Sequence, residues 1–403
     1  MPDIIAGLTF HPVGQGLFTS GHVLRVTTAS DFTWVFDCGS TSQRYLRPAV
    51  TAYTSAIGKG TLAMLVISHF DKDHISGLVD LLTGRSVRCV VLPYVPLWFR
   101  MHLAVVYGAV GGFLRFLIDP AAYLASISGE VGQVIYVSGG DDGRSAPPPG
   151  ADGSEFPPEG HRVDPSDAPD STDELRRRTT MVSHSRVFGV QSWWEFVFFN
   201  ETPPSKVSIP TLQAAVRGCL ARHQTKGGQY AVTAMLQDLR RIYDNHFGSG
   251  GGPRNDISLS MYSGPTKRPN GVARWHGHIF ESGAVFGCND WWLPYLSGQV
   301  QPSPPCHLST GDASFDTPTK IEAIKAHLGT RRWNRFVIFQ VPHHGSVHSW
   351  YPGAATKFTH SVSILAASST AKHHPHPAVV SDLAKHQPVV VSERAGFSSW
   401  GWI

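Results

Sequence analysis

Short runs of apolar residues, or of apolar residues alternating with polar ones, recur over the first hundred positions, each closed by Gly, Pro, Asp or Ser. This patterning predicts β-strands over 4–10, 22–27, 33–37, 62–67 and 87–92. Residues 75–82, with Gly84 behind them, read as a short helix and its terminating glycine. From 96 to 252 helical spacing takes over, broken at 141–171 by a Pro-, Gly-, Asp- and Ser-rich stretch that is too polar to pack and predicts a mobile loop. Residues 209–246 carry a helical period with basic residues on one face, interrupted at Gly227-Gly228, and 248–252 forms a glycine hinge back to the core. Strand patterns then return at 257–262, 306–310, 336–341, 362–367 and 389–392, with helices at 319–328 and 378–385.

Two strand-rich parts, 1–95 and 253–403, therefore flank a largely helical insertion at 96–252. Strands alternating with helices in both parts suit two sheets packed face to face with helices outside, an α/β sandwich of αββα type. The chain has 403 residues, 41% of them hydrophobic and 16% charged, which is enough for a large core and more than one ordinary domain. The most apolar helical stretch, 103–118, is short and holds Arg115 and several Gly, so no membrane span is expected. Cysteines at 38, 89, 219, 288 and 306 form no Cys-x-x-Cys pair and are odd in number, which disfavours a disulfide framework or a zinc ribbon. With no basic-then-apolar leader at the amino terminus, a reducing, cytoplasmic setting is the expectation. The formal charge of +4 permits a polyanionic substrate without demanding one.

The chemistry is concentrated directly after the fourth predicted strand, in Ser68-His69-Phe70-Asp71-Lys72-Asp73-His74. Imidazole and carboxylate are the usual partners of zinc and manganese, and neighbouring positions on a tight loop can aim alternate side chains at two adjacent ions. The plainer alternative is a solvated turn whose aspartates cap a helix. His69, Asp71, Asp73 and His74 are the candidate ligands of a two-metal hydrolytic centre. Asp312 follows a strand and Gly311, a place from which a carboxylate can bridge two cations, or alternatively cap the next helix. His343 and His344 end another strand, and a turn explains the flanking Pro and Gly but not the paired imidazoles. Asp37, at the end of the third strand, can either hydrogen-bond a ligand histidine or form an Asx-turn with Gly39.

His69-x-Asp71-x-Asp73-His74 is similar to the His-x-His-x-Asp-His signature of metallo-β-lactamase-fold hydrolases, with Asp71 where that signature has its second His. Further matches are Val13-Gly14-Gln15-Gly16, Val35-Phe36-Asp37-Cys38-Gly39-Ser40, Asn255-Asp256-Ile257-Ser258-Leu259, Ser309-Thr310-Gly311-Asp312-Ala313, Val341-Pro342-His343-His344-Gly345-Ser346 and His374-Pro375-His376-Pro377. In this order they resemble the soluble metallo-β-lactamase-like domain of the ComEC family of DNA-internalisation competence proteins, over about the first 95 and last 150 residues. The chain departs from that pattern at Pro12 and Leu17, where the family usually has Asp. Asn255 to Ser258 also stand where many relatives supply a third histidine to the first metal.

The resemblance implies a metallo-β-lactamase-like sandwich and two divalent ions, Zn2+ or Mn2+. His69, Asp71 and Asp312 would hold the first and Asp73, His74, His344 and Asp312 the second, with His343 close behind. Asp73 would also orient the nucleophile, His374 would act as general acid or phosphate contact, and Ser346, Asn255 and Ser258 would meet substrate. The implied substrate is a phosphodiester, nucleic acid and single-stranded DNA foremost. Arg176, Arg177, Arg178 and Arg186 beside Trp193 and Trp194, with Arg217, Arg222, Lys226, Arg240 and Arg241, could form a strand-binding groove or an ordinary solvated helix face with buried Trp. The competing functions are a metallo-hydrolase of a small ester, amide or lactam with the insertion as a lid, and a non-catalytic binding module.

Overall fold

The computed structural model describes residues 3–139, 161–164, 167–200, 209–225, 230–248, 257–266, 273–282 and 305–403. In chain order the strands of the first part are β1 (Ile4–Phe10), β2 (Phe18–Arg25), β3 (Ser30–Cys38), β4 (Leu62–Val66) and β5 (Ser86–Pro93). β6 (Glu130–Ser138), β7 (His161–Arg162), β8 (Thr179–Ser183), β9 (Val187–Val190) and β10 (Trp194–Asn200) follow. The rest are β11 (Leu259–Pro265), β12 (Arg274–Glu281), β13 (Cys306–Ser309), β14 (Phe336–Gln340), β15 (Val362–Ala366), β16 (Pro388–Val391) and β17 (Ala395–Trp402). The helices are α1 (Gln43–Ile57), α2 (Lys72–Ile75), α3 (Leu78–Leu82), α4 (Leu97–Val106), α5 (Gly111–Ile118) and α6 (Pro120–Ile127). They continue with α7 (Asp173–Arg177), α8 (Ile209–His223), α9 (Val232–Phe247), α10 (Pro318–Trp333) and α11 (Pro377–Asp382).

The strands form two sheets, ordered β12-β17-β1-β2-β3-β4-β5-β6-β8-β7 and β16-β15-β14-β13-β11-β10-β9. Side-chain alternation places them. Along β1, Ile4, Ala6, Leu8 and Phe10 are buried, and with Trp34, Phe36, Met64 and Val66 they meet Phe196, Phe198, Met261, Ile338 and Ile364 of the second sheet in one core. The opposite face of the first sheet, through Val35, Leu65 and Val90, packs on Leu46 of α1, Leu81 of α3, Phe99 of α4 and Leu239 of α9. Leu308, Phe339 and Leu365 of the second sheet pack outward on Ile321 and Ile324 of α10 and Val379 of α11. The layering is helix, sheet, sheet, helix: a mixed α/β fold of the αββα type that the resemblance implied. β4 is buried at every position because both its faces are covered, which is why it reads as an unbroken apolar run.

The segment 96–252 carries the helices α4 to α9, and it also adds strands to both sheets. β6 continues the first sheet in parallel register with β5, β8 follows, and β9 and β10 enter the second sheet. Val134, Ile135 and Val137, then Phe196, Val197 and Phe198, are β-branched and aromatic residues that suit a pleated, buried surface better than a helix. Of the expected mobile loop, 141–160 and 165–166 lie outside the described residues. Its far end is packed: Asp167 accepts from Tyr94 Oη at 2.6 Å and from Gln213 Nε2 at 2.6 Å, and Ser171 Oγ donates to Asp119 at 2.8 Å. The hinge at 248–252 and the break at Gly227-Gly228 are outside the description except for Gly248. The expected helix at 75–82 is split into α2 and α3 by Gly77, where a Cβ would stand 2.7 Å from Cys38 Sγ. The apolar stretch 103–118 divides at Tyr107–Val110, where Gly108 takes φ +55°. No helix among the described residues is long and apolar enough to cross a membrane. The four described cysteines, Cys38, Cys89, Cys219 and Cys306, are free and buried.

Inside the sandwich His307 is 2% exposed, stacked on Trp34 at 5.9 Å, and burial pushes its pKa down to about 3. An imidazole depressed in the folded state takes up its proton first in the unfolded chain. Its contribution is therefore complete above about pH 6.5 and is lost as pH falls toward 3, at up to about 1.4 kcal/mol per pH unit. Urea unfolding at pH 7, 6 and 5 should show this slope, and His307→Gln should reduce it by that amount. Equal slopes in the two proteins would contradict the assignment.

Candidate metal centre

β3, β4 and β5 run parallel, as do β13, β14 and β15; His69 to His74 follow the carboxyl end of β4, Asp312 that of β13, and His343 and His344 that of β14, while Asp37 stands next to last in β3. Strand ends converging at one edge are the usual place for a site in such sheets, because the loops there can vary while the strands hold them. Ser68 and His69 follow the end of β4 at Val66, with buried Phe70 anchoring the loop edge-to-face on Phe116 at 5.0 Å. Asp71 occupies the N-cap position of α2, yet its side chain makes no cap hydrogen bond. The plain helix-capping alternative for Asp71 therefore does not hold. It fails for Asp312 as well, since Thr317 is the N-cap of α10.

Two of the resembling motifs lie beneath this loop. A Cβ on Gly16 or Gly39 would stand 2.8 or 2.5 Å from the Asp73 carbonyl oxygen, so both positions require the bare backbone. The Leu17 N–H donates to that same carbonyl at 3.2 Å, and the Gly77 N–H donates to the Cys38 carbonyl at 2.8 Å. The departures at Pro12 and Leu17 thus fall on a segment that acts here through its main chain.

Asp37 is fully buried, with φ +56°. It accepts from the Ser68 N–H at 2.6 Å, from Ser68 Oγ at 2.5 Å and from His74 Nδ1 at 2.8 Å. Of its two expected alternatives the structure has the histidine contact. A carboxylate on Nδ1 puts the proton there and leaves His74 Nε2 as the free donor atom. His344 is set in the same way, with Nδ1 donating to the Ala366 carbonyl at 2.6 Å. His343 Nδ1 pairs with Ser349 Oγ at 2.9 Å. His343 and His344 hold φ of +48° and +56°, an uncommon backbone for side-chain-bearing residues.

Asp312 is the meeting point. Its Oδ1 stands 3.3 Å from His74 Nε2 and 3.9 Å from His344 Nε2, while its Oδ2 stands 3.5 Å from His69 Nε2 and 3.8 Å from His343 Nε2. Asp73 Oδ2 lies 3.1 Å from His344 Nε2 and 4.0 Å from His74 Nε2, and Asp71 Oδ2 lies 3.8 Å from His69 Nε2. The donor atoms form two groups, His69 with His74 and Asp312, and Asp73 with His74 and His344. His69 Nε2, His74 Nε2 and Asp312 Oδ1 are buried and have no hydrogen-bond partner. Two ligands of one ion, each about 2.0–2.2 Å from it in tetrahedral array, stand about 3.3–3.5 Å apart. Orphaned buried donors at that spacing fit a pair of cations, and four carboxylates, Asp37, Asp71, Asp73 and Asp312, would balance two divalent charges.

The electrostatics agree. Burial alone would lower the His74 pKa, but the carboxylates of Asp312, Asp37 and Asp73 raise it well above the ordinary imidazole range. His344 is likewise raised by Asp312 and Asp73 against the pull of burial. Burial would raise Asp312, and His74, His69 and His344 hold it well below the usual carboxylate range. Asp73 is lowered by His74 and His344 against burial. A third group, Cys219 with His223 and Asp238, differs in kind. There His223 Nε2 is hydrogen-bonded to Asp238 at 2.8 Å and Arg241 occupies the other carboxylate oxygen at 2.9 Å.

His374 joins the site, its ring 6.0 Å from His343 and 6.2 Å from His344. Ser258 and Ser346, expected to meet substrate, are engaged with backbone groups. Both are buried: Ser258 Oγ donates to the Thr310 carbonyl at 3.1 Å and accepts from the Asp312 N–H at 3.0 Å, while Ser346 Oγ accepts from the His348 N–H at 3.3 Å. Small hydroxyls in tight turns satisfy nearby backbone groups first. Asn255 lies outside the described residues, as does Lys226. The expected strand-binding groove loses its stacking partners, because Trp193 and Trp194 are core residues and the Trp194 indole donates to Ser263 Oγ at 2.8 Å. Arg178 is paired with Glu174 at 2.6 Å. Sequence reasoning missed Ser68, which links Asp37 to the loop, and Tyr107, whose hydroxyl donates to Asp71 at 3.1 Å. An isolated Ser or Tyr carries no spacing signal.

No protein-family model and no curated protein sequence matches the chain. Among solved structures it is similar to human tRNase Z, short form, at 10% identity and a TM-score of 0.35, over 96% of this chain and 92% of that one. It is similar to unliganded yeast PDE1 at 9% identity and a TM-score of 0.39, over 99% of this chain and all of that one. A long form of RNase Z from yeast aligns at 8% identity and a TM-score of 0.32, over 84% of this chain but 32% of its own length.

Proposed function

We propose that this chain is a metal-dependent hydrolase of the metallo-β-lactamase superfamily, a phosphodiesterase acting on nucleic acid, with single-stranded DNA as its foremost substrate. The observation that carries the reading is Asp312, whose two oxygens divide between His69 and His343 on one side and His74 and His344 on the other. His69, Asp71 and Asp312 would hold one ion and Asp73, His74, His344 and Asp312 the other. Two divalent ions, Zn2+ or Mn2+, would acidify water and offset the charge that grows on a phosphoryl group in transfer.

The chain's own residues do the rest. Asp73 is partly open to solvent and braced by His344, so its carboxylate can orient the attacking water. Asp37, through His74, keeps that imidazole in the tautomer with a free Nε2. Burial, then His344 and His343, pull the pKa of His374 below the usual range. At neutral pH His374 is therefore an uncharged hydrogen-bond donor, suited to a phosphate oxygen or the leaving group. His343 is 44% exposed at its side chain and Asp71 27%, so the centre is reachable from outside, as a polymer requires. The DNA preference rests on the ordered motifs that resemble the ComEC branch.

The test is a panel with manganese or zinc: single-stranded DNA, double-stranded DNA, RNA, cyclic nucleotides and a chromogenic lactam. Cleavage of DNA, with single strands fastest, is the expected result, and cleavage of the lactam alone would refute the substrate class. Asp73→Ala should abolish turnover in a chain that still folds, as its circular dichroism spectrum would show. Full activity in that variant would refute its role.

A further inference from the structure

The α4–α5 corner packs against the metal loop, and Tyr107 carries the contact to a candidate ligand. Tyr107, the residue that closes α4, donates its phenol hydroxyl to Asp71 Oδ2 at 3.1 Å, and this oxygen is also the one 3.8 Å from His69 Nε2. The ring is held from behind: its centroid lies 6.2 Å from that of Phe113 on α5, and the ammonium of Lys72, next to Asp71, stands over the other ring at 5.2 Å. The other donors are positioned by contacts of the same kind. His74 and His344 have their rings fixed by Asp37 and the Ala366 carbonyl, and the Asp312 main-chain N–H is held by Ser258. Asp71 makes no cap bond on α2 and is more open to solvent than Asp312.

We infer that Tyr107 is a positioning residue for the first metal: its hydroxyl holds the Asp71 carboxylate toward His69, so occupancy of that ion depends on the helical corner carried between β5 and β6. This rests on the two-metal reading above. A carboxylate ligand that accepts a hydrogen bond keeps its orientation before the ion arrives, and removing such outer contacts costs about ten- to a hundredfold in metal affinity. The second ion, held by Asp73, His74, His344 and Asp312, makes no use of Tyr107.

The experiment is calorimetric titration of Mn2+ into the metal-stripped full chain, for wild type, Tyr107→Phe and His344→Ala. Wild type should take up two ions per chain. Tyr107→Phe, which keeps the ring against Phe113 and loses only the hydroxyl, should weaken one step by about ten- to a hundredfold and leave the other unchanged. His344→Ala should weaken the other step. The unfolding midpoint of stripped Tyr107→Phe should equal that of wild type, and its turnover should recover at high Mn2+, which a merely structural role would not produce. Two steps of wild-type affinity in Tyr107→Phe would overturn the inference while leaving the centre intact. A wild-type chain that binds no manganese would overturn both.

Discussion

Asp312→Ala is expected to release both metal ions and to lower kcat/KM by at least about a thousandfold, the equivalent of some 4 kcal/mol of transition-state stabilisation. The reason is positional. Its Oδ1 faces His74 and His344, and its Oδ2 faces His69 and His343, so one substitution removes a donor from each side. His344→Ala touches one side and should leave one ion in place. Metal content after gel filtration, together with steady-state rates on whichever substrate the wild type cleaves, separates the two variants. An Asp312→Ala protein that keeps two ions and stays within tenfold of wild type would remove the basis for a bridged pair.

The largest loss of stability is expected away from the site, at Arg332 and Glu195. Arg332, at the end of α10, forks onto Glu195 of β10 with Nε to Oε1 at 3.0 Å and Nη2 to Oε2 at 2.9 Å, and both side chains are essentially inaccessible. Removing one partner strands the other charge in the interior, so Arg332→Met should cost about 3–5 kcal/mol. Replacing both partners by apolar residues of similar volume should cost far less, or even stabilise, because no uncompensated charge remains. Chemical denaturation of the single and double variants reads the difference directly. A single variant within about 1 kcal/mol of wild type would show that the remaining charge stays compensated without its partner.

Much of the molecule was legible before folding. β1 coincides with its predicted span, and β4, β5, β14 and β15 fall within a residue or two of theirs, because buried parallel strands appear as unbroken apolar runs. β2 was read as starting late and running past its end into the turn at Val26–Thr28, and β3 was read short at both ends, since Thr19–Gly21 and Ser30–Asp31 carry little hydrophobic contrast. β12 and β17 were not foreseen. Their Gly-, Ser- and His-rich sequences make a strand only by pairing with each other and with β1, a register of distant partners such as His276 with Trp400 and Gly7 with Trp400. The tryptophans at 193 and 194 show the same limit: beside arginines they suggest a nucleic-acid surface, and the sandwich buries them instead.

The sequence by itself determined many of the strands, the αββα class and the donor-rich loop from His69 to His74, because hydrophobic period and donor spacing are local properties written over a few consecutive residues. Only the tertiary structure decided that Asp37 braces His74, that Asp312 stands between the histidines, that Ser258 and Ser346 serve the backbone, and that Tyr107 meets Asp71. His344 and Asp73 are 271 residues apart in the chain yet 3.1 Å apart in space. Contacts of that separation come from how two sheets pack and where their parallel strands end, which no local pattern of residues records.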